Sequence, residues 1–198
     1  RLFSGLTLNN SYYDYDISGT DIPGEAFSLS HRINSSALKA DINWFPGSRN
    51  EFNFGADLIR YDVLPGGIRP LGDSSIVVPE TIERQRALES AVYFEDKFIL
   101  TEHLSLNAGI RLSSCFAFGP GTFYVYDDKY PRSISSITDT VSFGRSQNYR
   151  TYLGPEFRLS LNYRMNDNSA IKINYNRTRQ YLHLLSNTIS ISPTDTWK

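Results

Sequence analysis

Leu104-Ser105-Leu106-Asn107-Ala108-Gly109-Ile110-Arg111-Leu112-Ser113 carries an apolar residue at every even position and a polar residue or Gly at every odd one. That period of two is the signature of a β-strand, whose successive side chains point to opposite faces. The same alternation recurs in residues 157–164, 171–176, 38–44 and 52–58, and more weakly in 6–15 and 88–94. No stretch has a convincing helical period. Residues 79–88 could close a helical turn, but Val92 and Phe94 continue an alternation, so the segment reads as the approach to a strand. The chain is therefore expected to be all-β and antiparallel, with about seven strands.

The connections carry a second signal. Trp44-Phe45-Pro46-Gly47-Ser48-Arg49-Asn50 and Asn166-Asp167-Asn168-Ser169 are tight turns by composition, and Leu100-Thr101-Glu102-His103 is a third short link. Between them lie long connections at 17–30, 65–83 and 119–151, and a tail after Arg179. Loops beyond ~12–15 residues are uncommon in compact soluble domains. Here short and long connections alternate strictly, as they do in outer-membrane barrels.

The faces agree. Leu, Ile, Ala, Val and Phe occupy one face mid-strand. Trp44 and Phe45 flank a short turn, while Tyr12, Tyr13, Tyr15, Phe116 and Phe118 lie toward the long connections. Aromatics at both ends of an apolar band match interfacial girdles. The opposite face holds Lys39, Asp41, Asn43, Asp57, Glu89, Glu95, Arg111, Arg158, Arg164, Lys172 and Asn174, too many charges for a dry core. Ala108 is thus expected to face lipid and Asn107 the lumen. The competing reading is a soluble antiparallel sheet whose apolar face is its core. Closed bacterial barrels have even strand numbers from about 8 upward. Seven strands fall short of that, so residues 1–198 are expected to form a partial β-barrel domain, a transmembrane segment of a larger barrel.

Composition narrows the function. Lys+Arg total 20 and Asp+Glu 21, a net charge of -1, which excludes a nucleic-acid binder that works by broad charge neutralisation. The single Cys leaves no intramolecular disulfide and no cysteine zinc cluster. No run approaches the ~18 apolar residues of a spanning helix. His31, His103, His183 and Cys115 are scattered, and no metalloprotease, nucleophile-elbow, phosphate-loop or Cys-x-x-Cys spacing occurs. No catalytic residue, metal or cofactor is therefore assigned, and the chain reads as a non-enzyme. Asp127-Asp128 reads as solvated loop charge, and Asp14, Asp16 and Asp21 as a polar strand end rather than a cation site. Cys115 reads as a small packed residue.

Binding is the stronger expectation. The connection 119–151 contains Phe123, Tyr124, Tyr126, Tyr130, Arg132 and Tyr149, and the last strand leads into Arg177, Arg179, Tyr181 and His183. Tyr with Arg offers stacking faces and hydrogen-bond donors, which suit sugars, chelates or peptides. Tyr124, Tyr126, Tyr130, Arg132, Tyr149, Arg179, Tyr181 and His183 are the candidate substrate contacts. Self-packing of the loop aromatics and bracing of the wall by the arginines compete with that role.

Two stretches carry a family resemblance. Ala91-Val92-Tyr93-Phe94-Glu95-Asp96-Lys97-Phe98, followed by Leu104-Ser105-Leu106-Asn107-Ala108-Gly109-Ile110-Arg111, is similar to a strand–turn–strand signature of TonB-dependent outer-membrane receptors. Tyr175-Asn176-Arg177-Thr178-Arg179-Gln180-Tyr181-Leu182-His183-Leu184-Leu185-Ser186-Asn187, with Pro193-Thr194-Asp195-Thr196-Trp197 after it, resembles a barrel segment of the Bacteroidetes branch of these receptors. The resemblance covers the chain from about Ala87 onward. It implies a ~22-stranded barrel in the outer membrane of a Gram-negative bacterium, plugged by an N-terminal domain. Such a barrel captures a nutrient such as an iron chelate, oligosaccharide or peptide. The implied partners are outer-membrane lipid, the protein's own plug domain, the TonB complex acting through that plug, and a surface lipoprotein. Neither plug nor TonB box lies in these residues. A non-transport outer-membrane scaffold or adhesin, and a soluble β-sandwich carbohydrate-binding module, are the alternatives.

Overall fold

All seven alternating runs are strands, and each strand is longer than its cleanest alternation. The computed structural model describes residues 1–131, 133–182, 184–185 and 196–197. In chain order the strands are β1 (Leu2–Gly19), β2 (Phe27–Trp44), β3 (Asn50–Pro70), a two-residue β4 (Glu80–Thr81), β5 (Gln85–Ile99), β6 (Leu104–Phe118), β7 (Gly121–Tyr126), β8 (Ile137–Phe143), β9 (Asn148–Asn166), β10 (Ser169–Arg177), and the two-residue β11 (Leu184–Leu185) and β12 (Thr196–Trp197). The main sheet runs β1-β2-β3-β5-β6-β9-β10 with every neighbour antiparallel, and β4 adds to β3. It is an all-β half-barrel. Pro155 sits on the stretch of β9 that β10 does not reach, since that pairing stops at Phe157. Its missing N–H is tolerated on such an edge.

The three short turns fall at one end of the sheet and the long connections at the other. Two of the expected long loops are different. The 17–30 connection shrinks, because β1 and β2 stay paired out to Gly19 and Phe27. The 119–151 connection is not an irregular loop. It contains the β7–β8 hairpin, braced by an edge-to-face contact between Phe123 and Phe143 at 5.7 Å.

Register fixes the faces. One cross-strand row reads Gly5, Asp41, Gly55, Tyr93, Arg111, Glu156, and the next reads Thr7, Lys39, Asp57, Ala91, Ser113, Gly154. These rows gather the predicted charged face on the concave side. There Glu156, Ser113, Ala91 and Cys115 are buried. The alternate residues form the convex side, where Leu8 is 78% exposed, Leu6 71%, Leu153 64% and Ile173 60%. At the middle of the sheet the concave polar side chains are part-buried while the convex apolar ones are bare; Lys39, Arg158, Lys172 and Asn174 on the concave side stay exposed.

Gly55 makes the central row fit. A β-carbon there would run into the Ala40 carbonyl and the Tyr93 ring. With no side chain at Gly55, the Tyr93 ring lies across β3 and its hydroxyl donates to Asp41 on β2. Gly55→Ala is expected to cost ~1–3 kcal/mol through overpacking. Urea unfolding of the wild type and the variant, followed by circular dichroism, checks it.

Candidate functional site

The concave face divides into a charged centre and an aromatic mouth. At the centre Lys39 Nζ lies 3.0 Å from Asp41. Arg111 grips Asp57 with two nitrogens, at 2.5 and 3.0 Å, and reaches Glu156 at 3.8 Å. The bidentate geometry suits a planar guanidinium. Asn107 donates to Glu95 at 2.8 Å. The adjoining cavity, about 200 Å³, is lined by the cations Lys39, Arg111 and Arg158 and the anions Asp41, Glu95 and Glu156. These charges balance, so the centre is a charge-neutral polar wall; among the described residues the buried Oδ1 atoms of Asn53 and Asn107 find no partner.

The mouth lies toward the long connections. A cavity of about 430 Å³ opens there between the ends of β3, β5, β6 and β9 and the base of the β7–β8 hairpin. Its rings are Tyr61, Phe118, Phe123, Tyr149, Tyr152 and Tyr181. Phe123, Phe143 and Tyr149 pack as a triangle with centroids 4.8 to 5.8 Å apart. Burial holds the Tyr149 phenol above its usual range, so it stays a neutral hydroxyl. Arg84 and Arg86 both reach Asp62, at 3.3 and 3.5 Å, and Arg86 also donates to the Gly119 carbonyl at 3.3 Å. Arg150 stacks its guanidinium over the Tyr152 ring at 5.3 Å.

The floor of this cavity comes from the segment after β10. Residues 178–182 turn back across the concave face as a strap. The guanidinium of Arg179 lies over Gly154, which has no side chain to exclude it. The Tyr181 hydroxyl donates to the Ser113 carbonyl at 3.0 Å and pairs with Ser113 Oγ at 2.8 Å. Ser113 is 0% exposed, and its Oγ also donates to Glu156 at 2.6 Å. Ser113 belongs to the row just mouthward of Arg111, so Tyr181 stands between the charged centre and the aromatic mouth.

Of the candidate substrate contacts, Tyr149 and Tyr181 come together in this cavity. Arg179 braces the wall at Gly154 instead. Tyr124 and Tyr126 lie on β7 with their rings edge-to-face at 6.5 Å, outside the cavity lining. Tyr130 is exposed in the hairpin turn. Arg132 and His183 lie outside the described residues. Sequence reasoning did not single out Tyr61, Arg150 and Tyr152, Arg150 falling within the expected 119–151 connection, and it took Phe118 only as a girdle aromatic. Their one common signal is a place at a strand end next to a long connection. Asp14 is committed to Tyr12 at 2.9 Å and Arg32 at 3.3 Å. Among the described residues no three His, Cys, Asp or Glu side chains gather to hold a metal ion.

Comparison of the chain with protein-family models, with curated proteins and with solved structures found no match. The site is therefore read from its own chemistry. Rigid aromatic walls with tyrosine hydroxyls and a guanidinium at the rim hold a ring-bearing ligand by stacking and a few directed hydrogen bonds.

Tyr181→Phe keeps the ring and removes both hydrogen bonds to Ser113. It is expected to cost about 1 kcal/mol, while Tyr152→Phe, whose hydroxyl makes no hydrogen bond among the described residues, costs close to nothing. The shift of the urea midpoint at unchanged slope checks the pair.

Proposed function

We propose that this chain is part of an outer-membrane receptor that binds and imports a nutrient, forming barrel wall, lumen lining and extracellular loops. The observation that carries the reading is the bare apolar convex face opposite a charged concave one that is packed only at its centre. A continuous exposed apolar surface of this extent marks contact with lipid or protein. The stretch from Leu104 to Leu112, nine residues, matches the ~9–11 that cross a bilayer when tilted. At the short-turn end Trp44 lies 5.4 Å from Phe52, a pair suited to the headgroup level. A soluble sandwich needs a second sheet over the apolar face, and the described residues supply none.

In hydrocarbon the unpaired edges of β1 and β10 need partners. Those strands run in the same direction, so antiparallel closure takes an odd number of further strands. The resemblance to TonB-dependent receptors gives the proposal its specific form. The charged concave centre then faces a plug domain, TonB acts through that plug, and the aromatic mouth captures the nutrient outside the cell, with or without a surface lipoprotein. No catalytic step is part of this role.

Ile110 tests the lipid contact better than Ala108. It is 48% exposed and lies midway along the apolar run of β6, between Phe94 and Phe157. Ala108 pairs across with Asp96, which would offer an introduced cation a partner. Ile110→Arg in the full-length protein is expected to cost ~2–4 kcal/mol and to abolish outer-membrane assembly. Asn107→Arg, next to Glu95 on the other face, is expected to assemble normally. Heat-modifiable gel migration of the outer-membrane fraction reads both. Normal assembly of Ile110→Arg would remove the lipid-facing assignment.

A further inference from the structure

The charges around the mouth are not equivalent. Its lining holds Glu83, Arg84, Arg86 and Arg150. Arg84 and Arg86 share Asp62, so much of their charge is answered inside the wall. Arg150 differs. Among the described residues no carboxylate lies within ion-pair distance of it, and its guanidinium carbon lies over the Tyr152 ring, 5.3 Å from the centroid. The one acidic group of the described lining, Glu83, is exposed and points toward Gly121. Two acids lie beneath the lining: half-buried Glu89, paired across from Cys115 and accepting from the Tyr61 hydroxyl at 3.5 Å, and buried Glu156, behind the Tyr181–Ser113 contact and engaged by Arg111 and Ser113. The mouth therefore presents one cation without a carboxylate partner among the described residues, in a ring-lined space open to solvent.

The rings around Arg150 are already held in place. Tyr181 is pinned to Ser113, and its ring centroid lies 6.2 Å from that of Tyr152. Tyr149 and Phe123 form a fixed opposite wall. Walls ordered before binding lose little entropy when a flat ligand stacks on them. A guanidinium held by stacking still has its edge N–H groups available, in the fork that matches two oxygens of one acid group.

We propose that the mouth takes an organic anion built on a flat ring, with its carboxylate, phosphate or sulfonate on Arg150 and its ring against Tyr152 and Tyr181. This deepens the receptor reading and rests on the mouth being a capture site.

The test uses the full-length protein in lipid nanodiscs, with empty nanodiscs as blank. The probes are naphthoate, naphthalenemethanol and naphthylmethylammonium, which share one ring and differ in charge. The expected result is saturable binding with naphthoate about tenfold tighter than the alcohol and the ammonium weakest. Arg150→Gln, an exposed position, should bring naphthoate to within about twofold of the alcohol and leave the alcohol unchanged. Equal binding of all three probes, a preference for the ammonium, or a naphthoate preference that survives Arg150→Gln would each overturn the anion assignment alone. Binding of none of the three would overturn it together with the capture reading.

Discussion

The structure depends on a register that keeps two chemistries on opposite sides of one sheet. Side chains alternate along every strand, so a slip of one residue would exchange all the charges for all the leucines. The concave rows hold the register in place through contacts that cross strands. Arg111 on β6 is bonded to Asp57 on β3 and reaches Glu156 on β9, and Tyr93 on β5 crosses β3 to reach Asp41 on β2. Three glycines make room for this. Gly55 lies under Tyr93, Gly109 under the stem of Glu95, and Gly154 under Arg179. At each, a long polar side chain lies along the wall instead of standing up from it; Tyr93 thereby reaches Asp41 two strands away, and Glu95 accepts from Asn107 on the next strand.

That arrangement also positions the mouth. Ser113 is small and fully buried, and it accepts the Tyr181 hydroxyl on its carbonyl while its own hydroxyl bonds to Glu156. One hydrogen-bonded chain thus links the ion pairs of the centre to the strap that floors the aromatic cavity. Buried polar chains of this kind are rigid when every member is satisfied. The Tyr181 side of the cavity thus inherits its order from the charged centre, and the Phe123–Tyr149 side from the β7–β8 hairpin.

The strands were legible because alternation is a local property. All seven runs and the charged and apolar faces could be read from spacing, and two of the three short turns from their Pro, Gly, Asn and Asp content. The β7–β8 hairpin was not, because its two strands are only 6 and 7 residues long and lie within a stretch broken by Asp127-Asp128, Pro131 and several serines. The site was half legible. Composition drew attention to the tyrosine-rich connection and so to Tyr124, Tyr126 and Tyr130, which stay out of the cavity. Tyr149 and Tyr181 were reached by the same reasoning and do line it. Tyr61 and Tyr152 carry no local mark of their role. What joins Tyr181 to the site is a contact with Ser113 across 68 residues of chain, and no spacing rule predicts such a pairing.

The central claim is that the even residues of β6 face lipid and the odd ones a wet interior. The direct measurement is spin-label accessibility, one position at a time from Leu106 to Leu112, in the full-length protein reconstituted in lipid. Oxygen concentrates in the bilayer and a charged nickel complex stays in water. The account predicts period-two traces in opposite phase, with oxygen contact high at Leu106, Ala108, Ile110 and Leu112 and low at Asn107, Gly109 and Arg111. Even positions shielded from both probes would mean that the apolar face is covered by protein, and the membrane reading would be wrong.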